Sequence, residues 1–378
     1  MATEFQVPTE RELETIDINV NVGPQHPATH GVFRMILTVD GEQVVDVDPV
    51  IGYMHRGAEK LSENCDYRQG IGYQDRTDYL AQFNTELCYC LAVEKLAGLA
   101  VPERAEYVRV ILAELNRIAS HYMFMGAFGT DLGLFGTSFM YSFRDRETIQ
   151  DFFEEITGER LMYNYFRPGG LAWDVPEDFS ERCGQVLAAV RQGIDDIDGL
   201  MTENEVTIAR CRGLSVVSPQ DAINWGMTGP MLRATGLKHD LRRAEPYSIY
   251  DRFEFDVPTG RQGDVYDRYL VRLEEMRQSA RIVEQALAKL PEGPIMAEGM
   301  KRILRVPPGE VYLRTESPRG EYGIYLVSKG GEKPYRLKVR AAAFSNLSAL
   351  RAMAVGSYVA DTIIILGSID IVLCEVDR

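Results

Sequence analysis

The chain has 378 residues, 45% of them hydrophobic and 26% charged, which is ample apolar material for a core. A formal net charge of −15 argues against a compact nucleic-acid binder, normally basic, and against direct adhesion to an anionic lipid surface. Six cysteines without a C-x-x-C pair (Cys65, Cys88, Cys90, Cys183, Cys211 and Cys374) fit a reducing compartment and give no clear zinc or iron–sulfur motif. The nearest two, Cys88 and Cys90, read as buried helix cysteines.

Met1 to Phe5 are polar and acidic and lack the basic flank and apolar core of a signal peptide. From 16 to 50 the apolar residues alternate: Ile16, Ile18, Val20 and Val22, then Phe33, Met35, Leu37 and Val39. Asp40-Gly41 marks a hairpin turn before Val44, Val45 and Val47, so a small antiparallel sheet is expected. Between its first two strands, Gly23-Pro24-Gln25-His26-Pro27-Ala28-Thr29-His30-Gly31 carries two prolines and two glycines and predicts a rigid, non-helical insert.

Residues 56–290 are mainly helical. Val108, Ile111, Leu112, Leu115, Ile118, Ala119 and Tyr122 keep a 3.6-residue period after Pro102, a residue suited to a first helical turn. A shorter helix near 145–157 ends at Gly158, and a long one near 262–290 is closed by Pro291. Strand character returns over 310–341 with Gly330-Gly331 as a turn, and apolar helical character from Phe344 onward. No stretch reaches the roughly 20 apolar residues of a bilayer span; Thr362 to Val376 comes nearest and Asp370 interrupts it. The expected architecture is α+β in one unit, 1–378: an N-terminal β region (16–50), a helical core (56–290), a β region (310–341) and a C-terminal segment (344–378).

Five segments could carry chemistry. His26 and His30 have helical metal-ligand spacing, but Pro27 and the glycines argue against a helix. Local hydrogen bonding is one reading, and presentation of one imidazole to a ligand is the other. Met54 to Leu61 reads as a charged helix start. Tyr73 to Leu80 reads as a helix N-terminus, with Asp75 and Asp78 near its positive dipole end. Asp131 is a lone acid in a Gly-rich apolar run and needs a partner or a capping role. Glu316 to Glu321 reads as a polar turn between strands. There is no G-x-G-x-x-G after a strand, no P-loop and no G-x-S-x-G, so nucleotide binding and acyl transfer lack a motif.

Taken together, these segments closely resemble the peripheral 49 kDa-type subunit of respiratory complex I. The resemblance rests on G-P-Q-H-P-A-T-H-G-V from Gly23, I-G-Y-M-H-R-G-A-E-K from Ile51, D-R-T-D-Y-L from Asp75 and R-D-R-E-T-I from Arg144. It continues through N-Y-F-R-P-G-G from Asn164, F-D-V-P-T-G from Phe255, G-D-V-Y-D-R from Gly263, E-S-P-R-G-E from Glu316, P-Y-R-L-K-V-R from Pro334 and the closing V-D-R. That family is similar to the large subunit of [NiFe]-hydrogenases, which implies a hydrogenase-like fold with a central helical bundle. The hydrogenase motif R-x-C-G-x-C laid on Arg76 puts its cysteine positions at Asp78 and Ala81, with Glu94 at the family glutamate. D-P-C-x-x-C laid on Asp370 puts the others at Val372 and Glu375. Without those thiolates a soft-metal site cannot be built, so hydrogenase activity is rejected and no metal is expected on this chain.

The resemblance implies a subunit of a proton-translocating NADH:quinone oxidoreductase, inactive alone, or of a related ferredoxin- or F420H2-fed complex. Its substrate would be a quinone, menaquinone or ubiquinone. It places His30 and Tyr79 at the quinone headgroup, Asp131 behind the histidine, and Arg76 near a 4Fe–4S cluster held by the neighbouring subunit; an ion pair of Arg76 with Asp75 or Asp78 is the competing reading. Expected partners are that cluster-bearing subunit, the 30 kDa-type subunit and the membrane-arm subunit of the quinone channel. The expected location is peripheral, on the cytoplasmic side of the cell membrane. Many family members carry a histidine shortly after a T-G-x-R segment; here Met162 follows Thr157-Gly158-Glu159-Arg160-Leu161, which implies a lower and less pH-dependent cluster potential.

Overall fold

The computed structural model of the chain describes residues 16–26 and 29–378. The readings of Met1 to Phe5, and of Pro27 and Ala28 within the insert, lie outside the described residues. The alternating segment forms a three-stranded antiparallel sheet in the order β1 (Ile18–Val22), β2 (Arg34–Asp40) and β3 (Gln43–Val50). Gly41 turns the hairpin with φ +61, a conformation glycine adopts without strain. Met35, Leu37 and Val39 on β2 are buried, whereas the edge strand β1 leaves Ile18 and Val20 exposed.

Two short helices, α1 (Ala58–Ser62) and α2 (Ile71–Thr77), lead into α3 (Gln82–Ala97) and α4 (Glu103–Asp131). At 29 residues, α4 is about 44 Å long. Pro102 sits at its N-cap in extended conformation, one residue outside the predicted first turn. A single π-turn, Phe135–Phe139, begins the next helix, α5 (Met140–Thr157), which therefore starts earlier than its sequence periodicity indicates; Gly158, left-handed at φ +79, ends it as expected. A two-residue ladder joins β4 (Phe166–Arg167) to β5 (Gly170–Leu171). Then come α6 (Phe179–Met201), the short helices α7 (Glu205–Cys211), α8 (Pro219–Asn224), α9 (Pro230–Ala234) and α10 (Leu241–Ala244), and the long α11 (Val265–Ala288). Asp264 caps α11 by accepting the N–H of Asp267 at 2.8 Å.

The long helices α3, α5 and α11 pack against α4, which is buried nearly all round. A second antiparallel sheet, β6 (Gly309–Ser317), β7 (Gly320–Ser328) and β8 (Arg336–Arg340), covers α3. The chain closes with α12 (Ala342–Leu347), α13 (Leu350–Ala354), α14 (Val359–Ile369) and α15 (Leu373–Asp377). Apolar side chains gather in two clusters. One lies within the helical bundle; the other joins Met35, Leu37 and Val47 of the first sheet to Leu350, Leu366 and Val376.

The bundle also buries charge. The Glu114 carboxylate accepts Arg242 Nη1 at 2.9 Å, the Tyr250 hydroxyl at 2.6 Å and the Ser279 hydroxyl at 2.7 Å, with Arg117 beside it. Burial alone would raise the Glu114 carboxyl, but these donors and cations outweigh it and hold it at about 2. Removing one member of such a set would leave an uncompensated charge, a loss of about 3–5 kcal/mol. Cys88 and Cys90 are buried in α3 as free thiols, which agrees with their reading as packing residues.

Candidate functional site

The insert between β1 and β2 delivers His30 to the end of the longest helix. Within the insert the Thr29 hydroxyl donates to the carbonyl of His26 at 2.7 Å, and His30 follows in a left-handed conformation, φ +49. A non-glycine residue held there signals that its surroundings determine it. Its Nε2 lies 2.7 Å from Oδ2 of Asp131, the last residue of α4. Gly367 in α14 makes room for this contact: a Cβ at that position would collide with Asp131 Oδ2 and touch His30 Nε2. Burial disfavours the charged imidazole, but the hydrogen bond and charge of Asp131, assisted by Asp370, prevail and raise the His30 pKa.

Asp370 ends α14 in a left-handed conformation, φ +61. Its carbonyl accepts Arg319 Nε at 3.0 Å, while Arg319 Nη1 donates to Asp78 Oδ2 at 2.8 Å. Arg319 Nη2 lies 3.6 Å from Asp370 Oδ1, and Arg272 Nε lies 3.9 Å from Asp370 Oδ2. These are ion-pair distances without hydrogen bonds, and among the described residues Arg319 Nη2, Arg272 Nε and Asp370 Oδ2 are buried without a hydrogen-bond partner. One arginine thus ties the end of α2 to the end of α14.

Tyr79 follows Asp78 and is half-buried. Burial, then the nearby Cys374, Asp78 and Asp370, raise its phenol above the ordinary value, with Arg319 opposing, so the hydroxyl stays protonated. Asp370 therefore acts on both His30 and Tyr79. The four positions that a hydrogenase alignment assigns to cysteines, Asp78, Ala81, Val372 and Glu375, are all fully buried. Glu375 Oε1 accepts the N–H groups of Ala342 at 2.7 Å and Ala343 at 3.3 Å, and its Oε2 has no partner among the described residues. Burial and the charge of Asp78 push this carboxyl up to about 8. Among the described residues no group of three or more His, Cys, Asp or Glu side chains could hold a metal ion. The family glutamate position, Glu94, binds Arg109 in a buried pair of 2.6 Å.

One reading of the sequence needs correction. Tyr73 to Leu80 is not a helix N-terminus: α2 ends at Thr77, so Asp75 lies in its last turn and Asp78 just beyond. There the dipole is unfavourable to acids, and what holds the two carboxyls is burial among specific donors, Asn164 N for Asp75 and Arg319 for Asp78. Glu316 to Glu321 is the polar turn between strands that the sequence indicates, joining β6 to β7, and it is buried. Glu316 and Arg319 are buried, with Arg233 Nη1 donating to Glu316 at 2.7 Å. Sequence reasoning puts Glu375 at a former cysteine position and Arg319 in a polar turn but gives neither them nor Asp370 a role beside His30 and Tyr79; an isolated charge inside an apolar or Gly/Pro-bounded run is their signal.

Arg76 is exposed and donates to the carbonyl of Gly72 at 2.6 Å; Asp78 is engaged by Arg319 instead. Arg76 lines a cavity of about 70 Å³ with Met54, Arg56, Leu61, Tyr73 and Cys374. His30, Tyr79 and Asp131 do not line that cavity.

The family described as the 49 Kd subunit of respiratory-chain NADH dehydrogenase matches residues 131–305 and 299–378. The chain is also 50% identical over 365 residues to an NADH-quinone oxidoreductase subunit of Carboxydothermus hydrogenoformans, covering 97% of this chain and 100% of the relative. This chain belongs to the 49 kDa subunit family. The corresponding NADH-quinone oxidoreductase subunits of Dehalococcoides mccartyi strain 195 and Roseiflexus sp. strain RS-1 are 52% identical over 366 residues and 49% identical over 373. Each again covers 97% of this chain and 100% of the relative. The similarity to 49 kDa-family relatives thus runs through nearly the whole chain. No helix among the described residues is long and apolar enough to cross a membrane.

Proposed function

We propose that the chain works as a peripheral subunit of a proton-translocating NADH:quinone oxidoreductase, inactive alone, and supplies one wall of the quinone headgroup site. The observation that carries this is the 2.7 Å pair of His30 and Asp131 together with a half-buried, protonated Tyr79, Asp370 acting on both His30 and Tyr79. Reduction of a quinone to a quinol adds two electrons and two protons, so the site needs proton donors at the two carbonyl oxygens. The Tyr79 hydroxyl and the charged His30 imidazole are two such donors. Asp131 keeps the imidazole protonated and aimed, and Asp370 supports both donors electrostatically. When His30 gives up its proton, Asp131 loses its cation. A carboxylate left in this state provides a charge change that drives proton translocation elsewhere in the complex.

The electrons come from the 4Fe–4S cluster of the neighbouring subunit, and exposed Arg76, with Arg56 across the small cavity, is the face proposed to meet it. A guanidinium there would raise the cluster potential. Met162, in place of the family histidine, would make that potential lower and less pH-dependent, which suits a low-potential quinone such as menaquinone. The proposed partners are the cluster-bearing subunit, the 30 kDa-type subunit and the membrane-arm quinone-channel subunit, with the assembly on the cytoplasmic side of the membrane. A hydrogenase-like ancestry of the fold would explain why the two ends of the chain, at Asp78 and Glu375, converge on one buried spot. The test is Tyr79→Phe in the assembled complex. Quinone reduction should fall by about 10²-fold while NADH oxidation by an artificial acceptor that bypasses the quinone stays unchanged; undiminished quinone turnover would contradict the donor role.

A further inference from the structure

A buried pair of acids joins α2 to α3. Asp75 in α2 and Glu86 in α3 are both fully buried and lie within hydrogen-bonding reach of each other. Each also grips the segment 164–166. Asp75 Oδ2 accepts the N–H of Asn164 at 3.0 Å, and Glu86 Oε2 accepts those of Phe166 at 2.7 Å and Tyr165 at 3.1 Å. Asp75 Oδ1 is left buried without a donor among the described residues. A buried carboxylate oxygen that receives no N–H or O–H and has a second buried carboxyl for a neighbour is satisfied by a proton on that neighbour.

The groups facing the pair do not neutralise two charges. From α2, Arg76 acts only at a distance, because it is exposed and donates to Gly72. From the 164–167 segment, Arg167 spends Nη1 on the Asn164 side chain at 2.9 Å and on the Phe166 carbonyl at 3.0 Å. Tyr163 donates its hydroxyl to Gln150 at 2.7 Å, and Cys90 of α3 is a buried, neutral thiol. Like charges this close in a buried setting cannot both persist.

We propose that Asp75 and Glu86 form a proton-holding site separate from His30 and Asp131, with one proton between Glu86 and Asp75 Oδ1 near neutral pH and a second bound on mild acidification. Burial and the charge of Asp75 push the Glu86 carboxyl well above its ordinary value, and burial pushes Asp75 up to about 6. Glu86 is the protonated partner near neutral pH, and Asp75 is the carboxylate that gains the second proton. The bound proton locks 164–166 against α2 and α3. The second proton removes the charge that Asn164 N–H donates to and loosens that segment. This site does not depend on the quinone reading.

The assembled complex tests it by infrared spectroscopy, with Glu86→Gln and Asp75→Asn compared with the unaltered protein. Glu86→Gln copies the protonated acid: its amide donates to Asp75 and its carbonyl accepts from Phe166. Asp75→Asn removes the neighbouring charge and leaves burial acting on Glu86. Near neutral pH Glu86→Gln should lose one hydrogen/deuterium-sensitive carbonyl band of a protonated carboxylic acid. At about pH 5 the unaltered protein should gain a second such band that Asp75→Asn lacks. A Glu86→Gln spectrum that keeps the protonated-acid band and loses only carboxylate signal overturns the proposal. So does failure of Glu86→Gln to assemble, since it is the isostere of the proposed state.

Discussion

His30 Nε2 and Asp131 Oδ2 are 2.7 Å apart although 101 residues separate them in the chain. The contact joins the insert of the first sheet to the end of the longest helix, and Gly367 of α14 leaves the space it occupies. Three separate segments therefore fix one imidazole.

Asp131→Asn should remove the charge that holds His30 protonated. With its pKa raised above 6.5 in the folded protein, His30 contributes stability that is complete below 6.5 and is lost as pH rises through the raised value. In the variant the burial penalty prevails and the imidazole is neutral near pH 7. Quinone turnover by the complex should drop by about 10²-fold near neutral pH, and the alkaline limb of its pH profile should move to lower pH. An unmoved limb would separate the histidine from proton delivery.

Gly367→Ala should uncouple function from stability. Alanine is favoured over glycine in a helix by about 1 kcal/mol, and the atom it would strike is the carboxylate end of the Asp131 side chain and not backbone. The helix gains while the carboxylate swings away from His30. Thermal stability should change little, while turnover falls as in Asp131→Asn. Full activity would show that the 2.7 Å contact is dispensable.

How much of this is readable in the sequence depends on the kind of signal. The strands over 18–22, 34–40 and 43–50, the helix ending at Gly158, and the β6–β8 sheet follow from period-2 alternation, turn residues and caps, all local features. The family is legible because whole motifs survive in order. Arg319, Asp370 and Glu375 are not legible as a set. Arg319 sits in what reads as a turn and Asp370 looks like an interruption of an apolar tail. Only the folded chain shows that these three residues from the C-terminal part of the sequence gather around Asp78. The same holds for Asp75 and Glu86, which sit in separate helices and show no sign in the sequence of being buried together.

Glu375→Gln should flatten part of the pH dependence of stability. The folded carboxyl titrates at about 8 against an ordinary 4.5, so the folded chain binds more protons than the unfolded chain between those values. Stability therefore falls as pH rises from about 4.5 to about 8. The amide removes the titration and should stabilise the protein above about pH 8 by on the order of 2–4 kcal/mol, with little effect at about pH 5. Thermal unfolding of variant and parent across that range checks it; parallel curves would count against a protonated Glu375.

The most direct measurement is a structure of the assembled complex with a bound quinone analogue. The account predicts one headgroup carbonyl oxygen within hydrogen-bonding distance of the Tyr79 hydroxyl and the other facing His30, with Asp131 still behind the imidazole. A headgroup seated elsewhere, touching neither Tyr79 nor His30, would contradict it.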